Sequence, residues 1–123
     1  DGFIEKGRGH PRTSGSFSKV LGKYVREEHA LTLMQALERM TIMPARRLER
    51  RVPSMSAKGR VKVGADADFA VFDPATVIDR ATYEDASIPS AGMPYVIVGG
   101  AVVVDGGRVT SVRPGRGIRA PLM

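Results

Sequence analysis

Two histidines, no cysteine and a scatter of carboxylates are what this 123-residue sequence offers for chemistry. The lack of Cys removes disulfides, thiolate nucleophiles and thiolate metal ligands together. His10 and His29 are too few for a self-contained metal site built on several imidazoles. Asp66, Asp68 and Asp73 could suggest calcium binding, but the i, i+2 spacing of the first two lacks the twelfth-position carboxylate of a calcium loop. Asp1 before Gly2 is a common turn pairing. The glycines at 2, 7, 9 and 15 suit a flexible loop better than a phosphate cradle. No Gly-x-Gly-x-x-Gly follows a strand, and Gly64 lacks the Lys-Ser/Thr of a nucleotide loop.

Charge narrows the partners. Lys and Arg number 19 against 13 Asp and Glu, a formal +6, and the excess lies early: residues 1–60 hold 13 basic and 6 acidic side chains, residues 61–123 hold 6 and 7. The densest basic group is Arg46, Arg47, Arg50 and Arg51, with no aromatic interleaved as base stacking would need. A solvated basic face is expected, and no nucleic-acid partner. No apolar run approaches the ~20 residues of a membrane span, so no membrane partner is expected either. With no signal peptide visible, a cytoplasmic protein is expected.

The elements that must position these groups change period halfway. Residues 1–16 show no period and predict a long irregular loop. Phe17, Val20, Leu21, Tyr24 and Val25 then recur as a helical stripe that Ser16 can cap. Thr32 and Gln35 fit a capping box for a second helix carrying Leu33, Met34, Leu37 and Met40. Pro44 fits the first turn of a third helix over Ala45–Leu48. Beyond residue 57, short strands are predicted at 60–63, 69–72, 95–98, 101–104 and 108–112. Gly99-Gly100 forms the two-residue turn between the third and fourth of these. The polar stretch 75–94 reads as a surface excursion, and 113–123 as an irregular tail.

These pieces do not close on themselves. Three one-sided helices need more apolar surface than four or five short strands provide, so the chain is expected to be a piece of something longer. A sheet or barrel upstream of Asp1 would cover the stripes.

Sequence motifs support that expectation. Met43-Pro44-Ala45-Arg46-Arg47-Leu48, then the run from Gly59 through Val61, Gly64, Ala67-Asp68-Phe69-Ala70-Val71-Phe72-Asp73, resemble the C-terminal region of metal-dependent amidohydrolases. Val96–Val98, Gly99-Gly100 and Ala101–Gly106 resemble the hairpin that ends such proteins. Asp1-Gly2, His10-Pro11-Arg12, Gly15-Ser16-Phe17, Val20–Arg26 and the stretch Phe72–Asp85 with Pro89–Gly92 are similar to the D-aminoacylase (N-acyl-D-amino-acid deacylase) branch. The order and spacing of these elements are specific; any one alone would be weak.

The resemblance implies an α/β fold, with the terminal segment of an amidohydrolase-type (β/α)8 barrel at 1–52. Part of a small β-sandwich domain would follow at 53–123, with a long loop at 75–94. It implies a metal-dependent hydrolase of the amide bond of N-acyl-D-amino acids, using one or two Zn2+ ions held mostly by residues outside this chain. Asp1 is implied as the general base and metal-linked carboxylate, Arg12 as the partner of the substrate carboxylate, and His10 as a lining residue. The implied partners are the small N-acyl amino acid and an N-terminal barrel segment, in the same or a separate chain. Alone, the chain is expected to be inactive. Two other readings remain open from sequence: a dihydroorotase- or hydantoinase-like amidohydrolase, and a non-catalytic β-rich interaction module.

Overall fold

The computed structural model describes residues 2–121 and opens on a hairpin where the sequence predicts only a loop. Strands β1 (Ile4–Glu5) and β2 (Arg8–Gly9) pair antiparallel. Lys6 and Gly7 both take positive φ, 50° and 81°, which matches the twist a two-residue turn needs. Pro11 then opens helix α1 (Arg12–Lys19) at φ −52°, ψ −26°. A proline at a helix start forfeits no hydrogen bond. The helix therefore begins five residues earlier than its apolar stripe suggests. Ser16 does not cap it; its Oγ donates to the Arg12 carbonyl at 2.7 Å, one turn inside. Past α1 the backbone widens into a π-helical segment, Val20–Glu27, whose last bond runs from the Glu28 N–H to the Lys23 carbonyl at 2.8 Å. His29, at φ 52°, turns the chain out of it.

Small residues, more than large apolar ones, make the buried face of this continuous helix. Gly15, Ser18, Leu21 and Gly22 are buried, while Phe17 is 65% exposed. The reason lies across the contact. A Cβ at Gly22 would stand 2.8 Å from the Val77 carbonyl oxygen, and one at Gly15 would stand 2.7 Å from the Asp79 Cβ. Arg26 Nη1 donates to the Val77 carbonyl at 2.6 Å, fixing the same approach. The stretch expected to wander over the surface is thus folded against the helix. It keeps irregular backbone, with one isolated bridge between Ile78 and Ala91, yet Val77 and Ala86 are fully buried. The segment ending at Ala36 and Phe72–Met93 together form one compact unit.

Leu37–Val71 and the chain from Pro94 form the other unit. Helix α2 (Leu33–Met40) carries the chain between them and starts with the capping box the sequence predicts. Thr32 N–H donates to Gln35 Oε1 at 2.9 Å, and Gln35 N–H to Thr32 Oγ1 at 3.2 Å. Helix α3 (Ile42–Glu49) includes Pro44 in its first turn and leads through a 3-10 turn, Pro53–Ala57. No strand forms at 60–63. Arg60 instead turns to Glu49, Nη2 to Oε2 at 2.8 Å, and Val61 and Val63 lie in solvent. A strand needs a neighbour, and Ala65 N–H closing back on the Lys62 carbonyl at 3.1 Å makes this a turn.

The sheet is an antiparallel meander, β3 (Phe69–Val71), β4 (Tyr95–Val98), β5 (Ala101–Asp105) and β6 (Arg108–Val109), in that order. Gly99 and Gly100 turn β4 into β5 with φ of 56° and 82°, as predicted. An irregularity at Val96/Ile97 shifts the register by one residue. Among the described residues the buried apolar set is Leu21, Ala36, Ala45, Val77 and Ala86. Met34 on the α2 stripe is 71% exposed and Val71 in β3 is 45% exposed, while Leu33, Leu37 and Met40 are half-buried. Among the described residues, no helix is long and apolar enough to cross a membrane.

Candidate functional site

The junction between β2 and α1 gathers two of the three predicted site residues. His10 ends the hairpin, and Arg12 is the exposed first residue of α1. Their link is a hydrogen bond from the Arg12 backbone N–H to His10 Nδ1 at 3.1 Å, while the His10 carbonyl accepts from Thr13 N–H at 3.1 Å. His10 thus satisfies two of the donors that a helix start leaves unpaired. Asp1, the third predicted residue, lies outside the described residues.

The far side of the ring has a partner that sequence reasoning missed. Tyr83 Oη lies 3.2 Å from His10 Nε2, and the rings meet edge to face with centroids 5.1 Å apart. Because Nδ1 accepts an N–H, the neutral ring carries its proton on Nε2 and donates it to the phenol oxygen. Tyr83 stands on a corner tied down at several points. Asp85 N–H donates to Thr82 Oγ1 at 3.1 Å, and Thr82 N–H to the Asp85 carbonyl at 3.0 Å. Ser87, through Oγ and then N–H, donates to Asp85 Oδ1 and holds that carboxyl below the usual carboxylate range. The corner is latched to its surroundings by Ala86, whose N–H reaches the Gly7 carbonyl at 2.8 Å and whose carbonyl accepts from Ser14 Oγ at 2.7 Å. With the two rings 73 positions apart in sequence, no local spacing announces the pair.

Metal binding does not fit these groups. Both nitrogens of His10 are engaged, which leaves no free lone pair for coordination. The described residues hold no cluster of three or more His, Cys, Asp or Glu able to take an ion. His29, just past the end of the π-helical segment, lies beside Leu21, Val25, Leu33 and Phe72 with no second ligand among them.

A separate charged group in the second unit is structural. Lys58 Nζ sits between Asp66 Oδ2 at 2.8 Å and Asp68 Oδ2 at 2.5 Å. Asp68 Oδ1 also accepts the Gly99 N–H at 2.7 Å, so this carboxylate anchors the β4–β5 turn. The Lys58 ammonium first, and the Gly99 N–H second, hold Asp68 below the usual carboxylate range; the two aspartates raise Lys58 in return. Asp73 caps its own turn, accepting from Ala75 N–H and Thr76 Oγ1 at 2.9 Å each, which lowers its pKa. Asp68 thus anchors a turn and Asp73 caps one, while Asp66 pairs with Lys58.

Comparison with known proteins covers most of the chain. A sequence profile described as "Amidohydrolase family" matches residues 8–104. The chain is 45% identical over 119 residues to an N-acyl-D-glutamate deacylase of Alcaligenes xylosoxydans xylosoxydans, covering 97% of this chain and 23% of the relative. A D-aminoacylase of the same organism is 38% identical over 116 residues, covering 94% of this chain and 23% of the relative. Among solved structures, an N-acyl-D-glutamate deacylase from Bordetella bronchiseptica, complexed with zinc and a phosphonate mimic of the tetrahedral intermediate, superposes with a TM-score of 0.77 at 45% identity. That match covers 92% of this chain and 23% of the other. A D-aminoacylase structure superposes with a TM-score of 0.81 at 38% identity, over 91% and 23% of the two chains. The chain therefore spans about a quarter of the length of the relatives it matches.

Proposed function

Since the chain belongs to the amidohydrolase family, we propose that it works as the C-terminal part of a metal-dependent hydrolase cleaving the amide bond of N-acyl-D-amino acids. The observation that carries this is the 45% identity to an N-acyl-D-glutamate deacylase along 97% of the chain. Residues 1–52 would be the closing segment of a (β/α)8 barrel, and 53–123 part of a small β-sandwich whose long loop at 75–94 reaches back to pack on the barrel segment's first helix. The remaining barrel, supplied in the same or a separate chain, would cover the open faces of Met34 and Val71. It would also hold one or two Zn2+ ions, since the described residues do not. The enzyme would act in the cytoplasm, without nucleic acid or membrane as partner.

Within this chain the chemistry divides between two side chains. Asp1 would take the proton of the attacking water and deliver it to the leaving amine, a shuttle that a carboxylate at a barrel rim can perform. Arg12 would pair with the substrate α-carboxylate, because a planar guanidinium matches a carboxylate through two parallel hydrogen bonds and so orients as it attracts. His10 would line the approach. The test is an assay of the complete gene product on N-acyl-D- and N-acyl-L-amino acids, before and after chelation. Chelator-sensitive release of the free D-amino acid is expected; turnover that ignores the chelator, or none, would refute the reading.

A further inference from the structure

The geometry points to Tyr83 as a positioning residue for Arg12, acting through His10; this rests on the carboxylate-binding role just proposed for Arg12. The chain of contacts is short. Tyr83 Oη receives the Nε2 proton of His10 at 3.2 Å. An imidazole with its proton held on Nε2 presents a bare Nδ1, and that nitrogen accepts the Arg12 backbone N–H at 3.1 Å. The phenol therefore holds the Nε2 edge and the plane of the ring, and the ring fixes where the first residue of α1 begins. Edge-to-face packing at a ring angle of 69° adds a second restraint on the plane.

Tyr83 is itself 67% exposed, so the arrangement depends on the hydrogen-bonded support behind it. Its own corner, 82–87, is held to the β1–β2 turn by the Ala86 N–H on the Gly7 carbonyl and to α1 by Ser14 Oγ on the Ala86 carbonyl. Tyr83, His10 and Arg12 thus hang from one hydrogen-bonded frame, in which the loop latches to the same helix whose first residue is being placed. A guanidinium that binds a carboxylate bidentately is sensitive to such placement, because both hydrogen bonds must form together.

The test is a double-mutant cycle in the full-length enzyme containing this chain, with Tyr83→Phe, Arg12→Met and the pair, reading KM and kcat on an N-acyl-D-amino acid. Tyr83→Phe keeps the ring contact and removes only the acceptor. It is expected to raise KM by about 2- to 10-fold, the worth of one hydrogen bond, with little change in kcat. Arg12→Met is expected to cost about 100-fold or more in kcat/KM. In the Arg12→Met background, Tyr83→Phe should add nothing, since the group it positions is gone. Full additivity of the two, or an unchanged KM in Tyr83→Phe beside a crippled Arg12→Met, would overturn the positioning role and leave the deacylase reading standing. An Arg12→Met enzyme with wild-type KM would overturn the carboxylate-binding role itself, and the inference with it.

Discussion

Replacing Gly92 by Ala tests how the 72–93 loop is held closed. Gly92 has φ +73°, and a Cβ there would lie 2.5 Å from the Val77 nitrogen and 2.6 Å from both the Thr76 carbonyl carbon and the Val77 Cα. All three are backbone atoms, so no side chain can swing aside. Left-handed geometry costs a non-glycine residue about 1–2 kcal/mol, and forcing atoms into filled space adds about 1–3 kcal/mol. A loss of roughly 2–5 kcal/mol is therefore expected. It should be accompanied by weakening of the Asp73 N–H bond to the Gly92 carbonyl at 3.0 Å and of the Ile78–Ala91 pairing beside it. Gly7→Ala is the control within the same unit. Its φ is +81°, but the nearest atom to its Cβ would be Asp85 Oδ1 at an ordinary 3.6 Å. Only the backbone term applies there, about 1–2 kcal/mol, and the gain from a less flexible unfolded chain is common to both variants. Equilibrium urea unfolding of the two proteins, compared by midpoint at equal slope, isolates the close approach. A Gly92→Ala protein no less stable than Gly7→Ala would refute it.

Two further outcomes follow from the chemistry and the charges. Asp1→Asn in the full-length enzyme is expected to keep its metal content and fold yet lose at least ~10³-fold in kcat, along with the acidic limb of its pH profile, because Asn cannot accept the proton; near-wild-type turnover in a metal-replete protein would remove that role. Asp68 is ionised more readily when folded, so its contribution to stability is present above the ordinary carboxylate value of 3.8 and disappears as pH falls through the lower folded value. Asp68→Asn should consequently lower the urea midpoint at about pH 7, and the gap to the wild type should close on acidification below 3.8; a gap independent of pH would show that the ionised carboxylate contributes nothing.

Local chemistry was readable wherever a few adjacent residues decide the outcome. Thr32 and Gln35 form their box because both partners lie within one turn, and Gly99-Gly100 turns because few other pairs take positive φ twice. The start of α1 escaped because the surface it buries is made of Gly15, Ser18 and Gly22, whose spacing is helical but whose side chains carry almost no hydrophobic signal. The stretch 60–63 misled in the opposite sense: Val61 and Val63 alternate as a strand should, yet the backbone is a turn and both are exposed. At the candidate site, His10 and Arg12 were visible as near neighbours in sequence, whereas Tyr83 joins them only through the fold of the intervening chain.

Both units are discontinuous in sequence, and this limits how the chain can be taken apart. A single cut between residues 36 and 72 would leave the helix face of Gly15, Ser18 and Gly22 on one fragment and the backbone of Val77–Asp79 that fits it on the other. Separating one unit from the other intact would take three cuts, at the ends of Ala36, Val71 and Met93. During synthesis, the first helix must likewise wait until the stretch after Phe72 has emerged before its small-residue face can be covered. Fragments for expression, tag insertions and truncation series are therefore best placed outside these crossings.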